Sequence, residues 1–241
     1  MNNLWKNKKV SVVFPTYNEK KSIRKCIEDF FDTGLVDEII VVNNNAAKGT
    51  KEEVAKTKAV QVFEKKQGYG YSMRRGLEEA KGDLIIVSEP DGTFLAQDVL
   101  KLLAYSDDCS AVFCSRTNKS MILKDANMGH FLKWGNFFVA KMCEIFFNTT
   151  YLSDVGCTMR LIKKNALKKI QKKFLVGGSH FGLEMMLLTF TNRISYVEIP
   201  INYKERVGES SVTGDFWKAL YLGIVMITYV IKFRIKTIFR D

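Results

Sequence analysis

Through the first half of the chain, short apolar runs alternate with segments whose apolar positions recur every three or four residues. Val10-Ser11-Val12-Val13-Phe14 is the first run, and it ends at Pro15. Runs of this length, rich in β-branched residues and bounded by turn formers, predict buried strands. Residues 38–42, 60–63, 84–87 and 111–114 repeat the signal. Helices are predicted between them over 20–31, 51–58, 70–80 and 99–105. The first carries Ile23, Cys26, Ile27, Phe30 and Phe31 on one face and closes at Gly34. Strand and helix in alternation imply an α/β fold, a mostly parallel sheet sandwiched by helices. Ligands of such sheets sit beyond the carboxyl ends of the strands, so the chemistry belongs in loops 15–20, 43–49, 88–94 and 115–130.

The second half is less regular. Helices are expected over 128–147, 164–172 and 182–191, with a strand over 157–162. Residues 195–203 read as extended, and Pro200 confines them to a sheet edge or a strand break. A long apolar segment, 216–239, ends among Lys232, Arg234, Lys236 and Arg240. With 241 residues, 3 prolines and no linker-like stretch, the expected layout is one domain, 1–215, and an amphipathic C-terminal helix, 216–241.

Each strand-end loop carries candidate chemistry. Pro15-Thr16-Tyr17-Asn18-Glu19 turns from the first strand into a helix. Asn43-Asn44-Asn45 offers amides to a nucleobase or ribose, although asparagine also suits a plain turn. Gln67-Gly68-Tyr69-Gly70 precedes Arg74 and Arg75; glycines at a helix start let an anion approach free N–H groups. Ser88-Glu89-Pro90-Asp91-Gly92 places two carboxylates just past a buried strand. A type I turn explains the proline. Two carboxylates at a dry strand end also repel each other unless a cation joins them. Hard divalent ions are bound by one or two carboxylates that bridge to phosphate, so Asp91 and Glu89 are the metal candidates.

Charge and cysteine usage narrow the partners. The net charge of +11 favours anionic partners, yet no zinc-finger, RNA-recognition or basic-zipper pattern appears, and no nucleic-acid role is expected. The 5 cysteines form no C-x-x-C pair, which predicts a reducing compartment. His130 and His180 have no metal-site spacing. Residues 1–9 lack the apolar core of a signal peptide, so a cytoplasmic location is expected.

The four loops, in this order and spacing, resemble the inverting family 2 glycosyltransferases with a GT-A fold over about residues 8–115. P-T-Y-N-E is similar to that family's opening motif. V-V-N-N-N-A-A-K-G-T stands where V-V-D-D-G-S-x-D-G-T is usual, and E-P-D stands at the D-x-D metal motif. Beyond them, Cys114-Ser115-Arg116, Ser153 to Arg160, Phe181 to Glu184 and Glu205 to Ser211 resemble motifs of dolichol-phosphate mannose synthase and its bacterial polyprenyl-phosphate relatives. The chain departs at Asn44, in place of the base-contacting aspartate, at Glu89, in place of the first metal-motif aspartate, and at Ser211, in place of a lysine.

The resemblance implies a nucleotide-sugar donor, UDP- or GDP-linked, held with Mg2+ or Mn2+. It implies donor contacts from Pro15, Tyr17, Glu19, Asn44, Gln67, Gly68, Arg74 and Glu89, with Arg206 closing over the donor. Arg116 and Lys133 become candidates for an acceptor phosphate. The acceptor is a lipid phosphate or a glycan; a glycan hydroxyl needs a base, for which Glu184 is the first candidate and Asp154 the second. The bland readings of those two, a helix-start carboxylate and a loop salt bridge, stay open. So does a nucleotide-sugar binder without turnover. Trp217, Tyr221, Tyr229 and the basic cluster suit a helix lying on the inner face of an anionic membrane; packing in a core or a homo-oligomer is the alternative.

Overall fold

A computed structural model describes residues 5–123, 126, 129–208 and 215–239. Met128, Glu209 to Ser211 and Arg240, used in the sequence reading, lie outside the described residues. Seven strands form one sheet: β1 (Val10–Thr16), β2 (Glu38–Asn43), β3 (Val60–Phe63), β4 (Leu84–Val87), β5 (Ala111–Ser115), β6 (Arg160–Lys163) and β7 (Tyr196–Pro200). Their order is β3-β2-β1-β4-β6-β5-β7. All neighbours are parallel except β6, which runs antiparallel to both β4 and β5.

The helices are α1 (Ile23–Asp32), α2 (Thr50–Ala55), α3 (Tyr69–Glu79), α4 (Val99–Tyr105), α5 (His130–Phe147), α6 (Lys164–Ile170), α7 (Phe181–Thr191) and α8 (Phe216–Ile238). They cover both faces of the sheet. Val13, Ile40, Val42, Ile85 and Val87 face α3, α5 and α7, while Val12, Phe14, Ile39, Val41 and Ile86 face α1 and α4. Because successive strand residues point to opposite faces and both are covered, the strands read as unbroken apolar runs. Gly76 lets α3 lie close on the sheet, since a Cβ there would overlap the Val13 side chain.

Three elements differ from expectation. Pro15 does not end the first strand but lies inside β1, opposite Val42 of β2. Pairing with β4 stops at Val13, so the N–H that proline lacks is not needed on that side. The strand expected over 157–162 starts at Arg160 and inserts between β4 and β5. The predicted 20–31 helix begins at Ile23, because Glu19 to Ser22 form a turn in which Ser22 and Ile23 donate to the Glu19 carbonyl. Pro200 ends β7, the edge strand, as anticipated. α8 is long and apolar enough to cross a membrane by length and composition. It also packs on α5 and α7, and its Met226 and Val230 are buried in the same core.

Candidate active site

The site opens where β1 and β4 part company. Past Val13 and Val87 the two strands no longer pair, and the loops that follow them form its walls. The first loop is braced by Glu19, whose Oε2 accepts from the amides of Tyr17 at 2.7 Å and Asn18 at 2.9 Å. Tyr17 is thereby left exposed beside the buried Pro15. Ser22 ties this loop to the next by donating to the Pro90 carbonyl at 2.6 Å.

Glu89 and Asp91 share one cation of the chain. Asp91 is 1% exposed. Its Oδ1 accepts from the Thr93 amide at 2.9 Å and the Thr93 hydroxyl at 2.6 Å. Among the described residues its buried Oδ2 accepts no hydrogen bond, and its one ion pair is with Arg206, at 2.6 Å. The same Arg206 nitrogen donates to Glu89 Oε2 at 2.9 Å. The Val207 amide donates to the Asp91 carbonyl at 2.8 Å, so the 205–208 segment is fastened over the turn. Burial, followed by the Asp91 charge, pushes the Glu89 carboxyl up to about 8 against the pull of Arg206.

These residues fit a divalent cation. A buried carboxylate oxygen without a hydrogen bond and a second carboxylate that resists ionisation are what a missing positive charge leaves behind. Among the described residues no cluster of three or more metal-type side chains occurs. The protein's share of such a shell would be two carboxylates, with phosphate and water completing it.

The donor-side loops differ from the sequence reading in detail. The free N–H groups anticipated at the start of α3 are taken. Gly70 and Tyr71 both donate to the Gly177 carbonyl, at 2.9 and 3.3 Å. Gly68, at φ +146°, and Gly70 permit this approach, since a Cβ on either would overlap the 176–177 backbone. Asn44 is buried and engaged within the chain. Its Nδ2 donates to the carbonyls of Glu64 and Lys66 at 2.9 and 2.8 Å, and its Oδ1 accepts from the Gly68 amide at 2.9 Å. It staples the loop instead of presenting an amide to a base. Gln67 accepts from the exposed Asn45 at 2.9 Å. Arg74 stacks over Tyr71 at 6.0 Å, and Arg75 pairs with Glu79.

A second set of charges lies beyond β5. Arg116 makes a two-pronged contact with Asp154, at 2.8 and 3.0 Å, and its amide donates to the same carboxylate. The Asp154 and Ser153 amides in turn donate to Glu198. Lys133 donates to the Thr117 carbonyl at 3.2 Å. Arg160 is 2% exposed. It donates to the carbonyls of Gly182 and Cys157 and lies over the Phe113 ring. Among the described residues it has no carboxylate partner. Arg116, Arg160, Tyr69 and Tyr203 line a cavity of about 390 Å³ together with apolar residues that include Val139 of α5 and Met226 of α8. Glu184 is 1% exposed. It accepts from the amides of Leu175 and Val176 at 2.9 and 3.0 Å and from the Tyr229 hydroxyl at 2.8 Å. It holds the 174–177 segment against α8.

Sequence reasoning missed Tyr69, Arg160 and Tyr203. Tyr69 lay unmarked between two glycines already singled out, and Arg160 closed a motif that had been noted only as a whole.

The model of the family described as "Glycosyl transferase family 2" matches residues 11–171. The chain belongs to glycosyl transferase family 2. Among relatives, a low-salt glycan biosynthesis hexosyltransferase, Agl6, of Haloferax volcanii is 27% identical over 217 residues. This match covers 87% of the chain but 51% of the relative, so the chain spans about half of that protein. The human dolichyl-phosphate beta-glucosyltransferase is 24% identical over 243 aligned positions, covering 90% of the chain and 73% of the relative. In fold, this glycosyltransferase is similar to glucosyl-3-phosphoglycerate synthase from Mycobacterium tuberculosis, solved with Mn2+, uridine diphosphate and phosphoglyceric acid. The TM-score is 0.73 at 15% identity, covering 93% of this chain and 79% of that one. The mostly parallel sheet flanked by helices is thus the GT-A arrangement expected from the sequence.

Proposed function

We propose that this glycosyltransferase moves a hexosyl group from a nucleotide-sugar, bound through a divalent cation on Asp91 and Glu89, to a polyprenyl-phosphate-type acceptor at a membrane surface. The observation that carries the reading is a juxtaposition. The Glu89–Asp91–Arg206 cluster lies within electrostatic reach of Tyr69 and Tyr203, and the same two tyrosines line an amphiphilic cavity together with Arg116 and Arg160. Both relatives' names concern hexosyl transfer, one of them to dolichyl phosphate, and the solved neighbour holds Mn2+ with uridine diphosphate.

A bound divalent ion would offset charge on the departing diphosphate. The chain's own residues do the rest. Arg206, already beside both carboxylates, supplies a fixed positive charge where negative charge grows. Arg116, held rigid by Asp154, orients the acceptor's anion. One acceptor oxygen bonds to the anomeric carbon as the bond to the diphosphate breaks, inverting that centre. A phosphate oxygen arrives ionised and needs no base. This favours a phosphate over a glycan hydroxyl, because both base candidates are occupied: Glu184 by two amides and a tyrosine, Asp154 by Arg116.

Membrane attachment fits the outer surface of the same helices. Trp134, Phe138 and Ile145 of α5 are exposed, as are Trp217, Tyr221, Ile224, Ile231 and Ile235 of α8. Lys218, Lys232, Arg234 and Lys236 accompany them, a composition suited to an anionic interface. The decisive experiment is Asp91→Ala in a transfer assay with polyprenyl phosphate. Loss of transfer and of Mn2+-dependent nucleotide binding is expected; unchanged transfer removes the metal site from the proposal.

A further inference from the structure

Tyr69 is the first residue of α3, set between Gly68 and Gly70. Its side chain lines the cavity with Arg116, Arg160 and Tyr203. Among the described residues its hydroxyl has no hydrogen-bond partner. The residue is half-buried, and the chain makes no use of the phenol as a donor, which leaves it available to a ligand in the cavity. Burial, together with the nearby Glu89 charge, makes the phenol harder to ionise, while Arg160 acts the other way; Asp91 also bears on it. It therefore stays a neutral donor, within electrostatic reach both of the two carboxylates of the turn and of Arg160.

That position has a chemical meaning in the reaction proposed above, on which this inference rests. The diphosphate belongs at Asp91 and Glu89, and the acceptor's anion at Arg116 and Arg160. The group between them is the sugar in transit. We infer that Tyr69 contacts the transferred sugar, its hydroxyl donating to a sugar oxygen, and so helps set which sugar is accepted. The flanking glycines serve this placement: they let α3 begin against Gly177, which fixes where the first side chain of the helix enters the cavity.

The test uses the full chain with Tyr69→Phe, which keeps the ring and removes only the donor. Calorimetric titrations in Mn2+ compare UDP with UDP-glucose and GDP with GDP-mannose, alongside transfer to polyprenyl phosphate. The affinity for UDP or GDP alone should be unchanged. The extra affinity contributed by the sugar should shrink, and kcat/KM should fall about tenfold, as expected for one lost hydrogen bond. Discrimination between the preferred donor and its deoxy-sugar analogue should narrow in the variant. Activity within twofold of wild type overturns the contact. So does an equal loss of binding for nucleotide and nucleotide-sugar, which would place Tyr69 in the nucleotide site. A wild-type chain that turns over no donor overturns the transferase reading and this inference with it; a wild type that works while the phenylalanine variant keeps pace overturns the inference alone.

Discussion

Glu89→Gln in the metal-free protein isolates the electrostatic tension at the E-P-D turn. The variant preserves shape and removes one charge. In the wild type, burial and Asp91 raise the Glu89 carboxyl from 4.5 to about 8. A raised acid binds its proton more tightly in the folded chain than in the unfolded one, so stability falls as pH climbs between those two values. The cost is absent below about pH 4.5 and complete above about pH 8. At about 1.4 kcal/mol for each tenfold change in proton affinity, its ceiling is on the order of 5 kcal/mol. The Glu89 side chain keeps 22% exposure, and solvent screening brings the expected figure to roughly 2–4 kcal/mol. Urea unfolding in EDTA at several pH values between 4.5 and 8.5 measures it. The wild type should lose that much more stability across the window than the glutamine variant. Mn2+ added at pH 8 should restore more to the wild type than to the variant. Parallel pH profiles for the two proteins would refute the account of the turn as a strained pair awaiting a cation.

Asp154→Asn leaves Arg116 buried without its carboxylate, and about 3–5 kcal/mol should be lost in denaturant unfolding, as for a broken buried ion pair. Gly70→Ala drives a Cβ into the Val176 carbonyl and the Gly177 backbone; a loss of roughly 1–3 kcal/mol, together with weaker nucleotide binding by fluorescence titration, is expected. Vesicle co-sedimentation tests the membrane face. Because Met226 and Val230 anchor α8 in the core, the appropriate variant is not a deletion but Trp217→Ser with Tyr221→Ser on the exposed side. Partitioning to anionic vesicles should drop several-fold without a change in melting temperature, and equal partitioning would remove the surface from the proposal.

The strand-end loops were legible because strands covered on both faces must be apolar throughout, which marks β1, β2 and β4 and the turns after them. The insertion of β6 was not. Nothing local in Arg160-Leu161-Ile162-Lys163 says that its partners lie at 84–87 and 111–113. The same limit explains the glycine loop. Glycines before a helix predict an open N-terminus, but the Gly177 carbonyl that fills it comes from over a hundred residues away. Asn44 looked like a ligand contact because its three carbonyl and amide partners lie 20 to 24 residues on, across β3. Asp154 and Glu184 are engaged in the way the plain alternatives describe, in a salt bridge and in the first turn of a helix.

The placement of β6 also dictates the order in which this molecule can be built. β5 and β7 reach the rest of the sheet only through β6. A chain emerging from the ribosome can assemble β1 to β4 early, but β5 must wait unpaired with that half until residues 160–163 are made. Such long-range closure is slow compared with local pairing. Arg160, which begins β6, therefore takes its place in the cavity wall as β5 is joined to the β1–β4 half of the sheet. A fragment ending before β6 would carry the two carboxylates of the turn and Arg116, but neither Arg160 of the cavity nor Arg206, the arginine paired with those carboxylates.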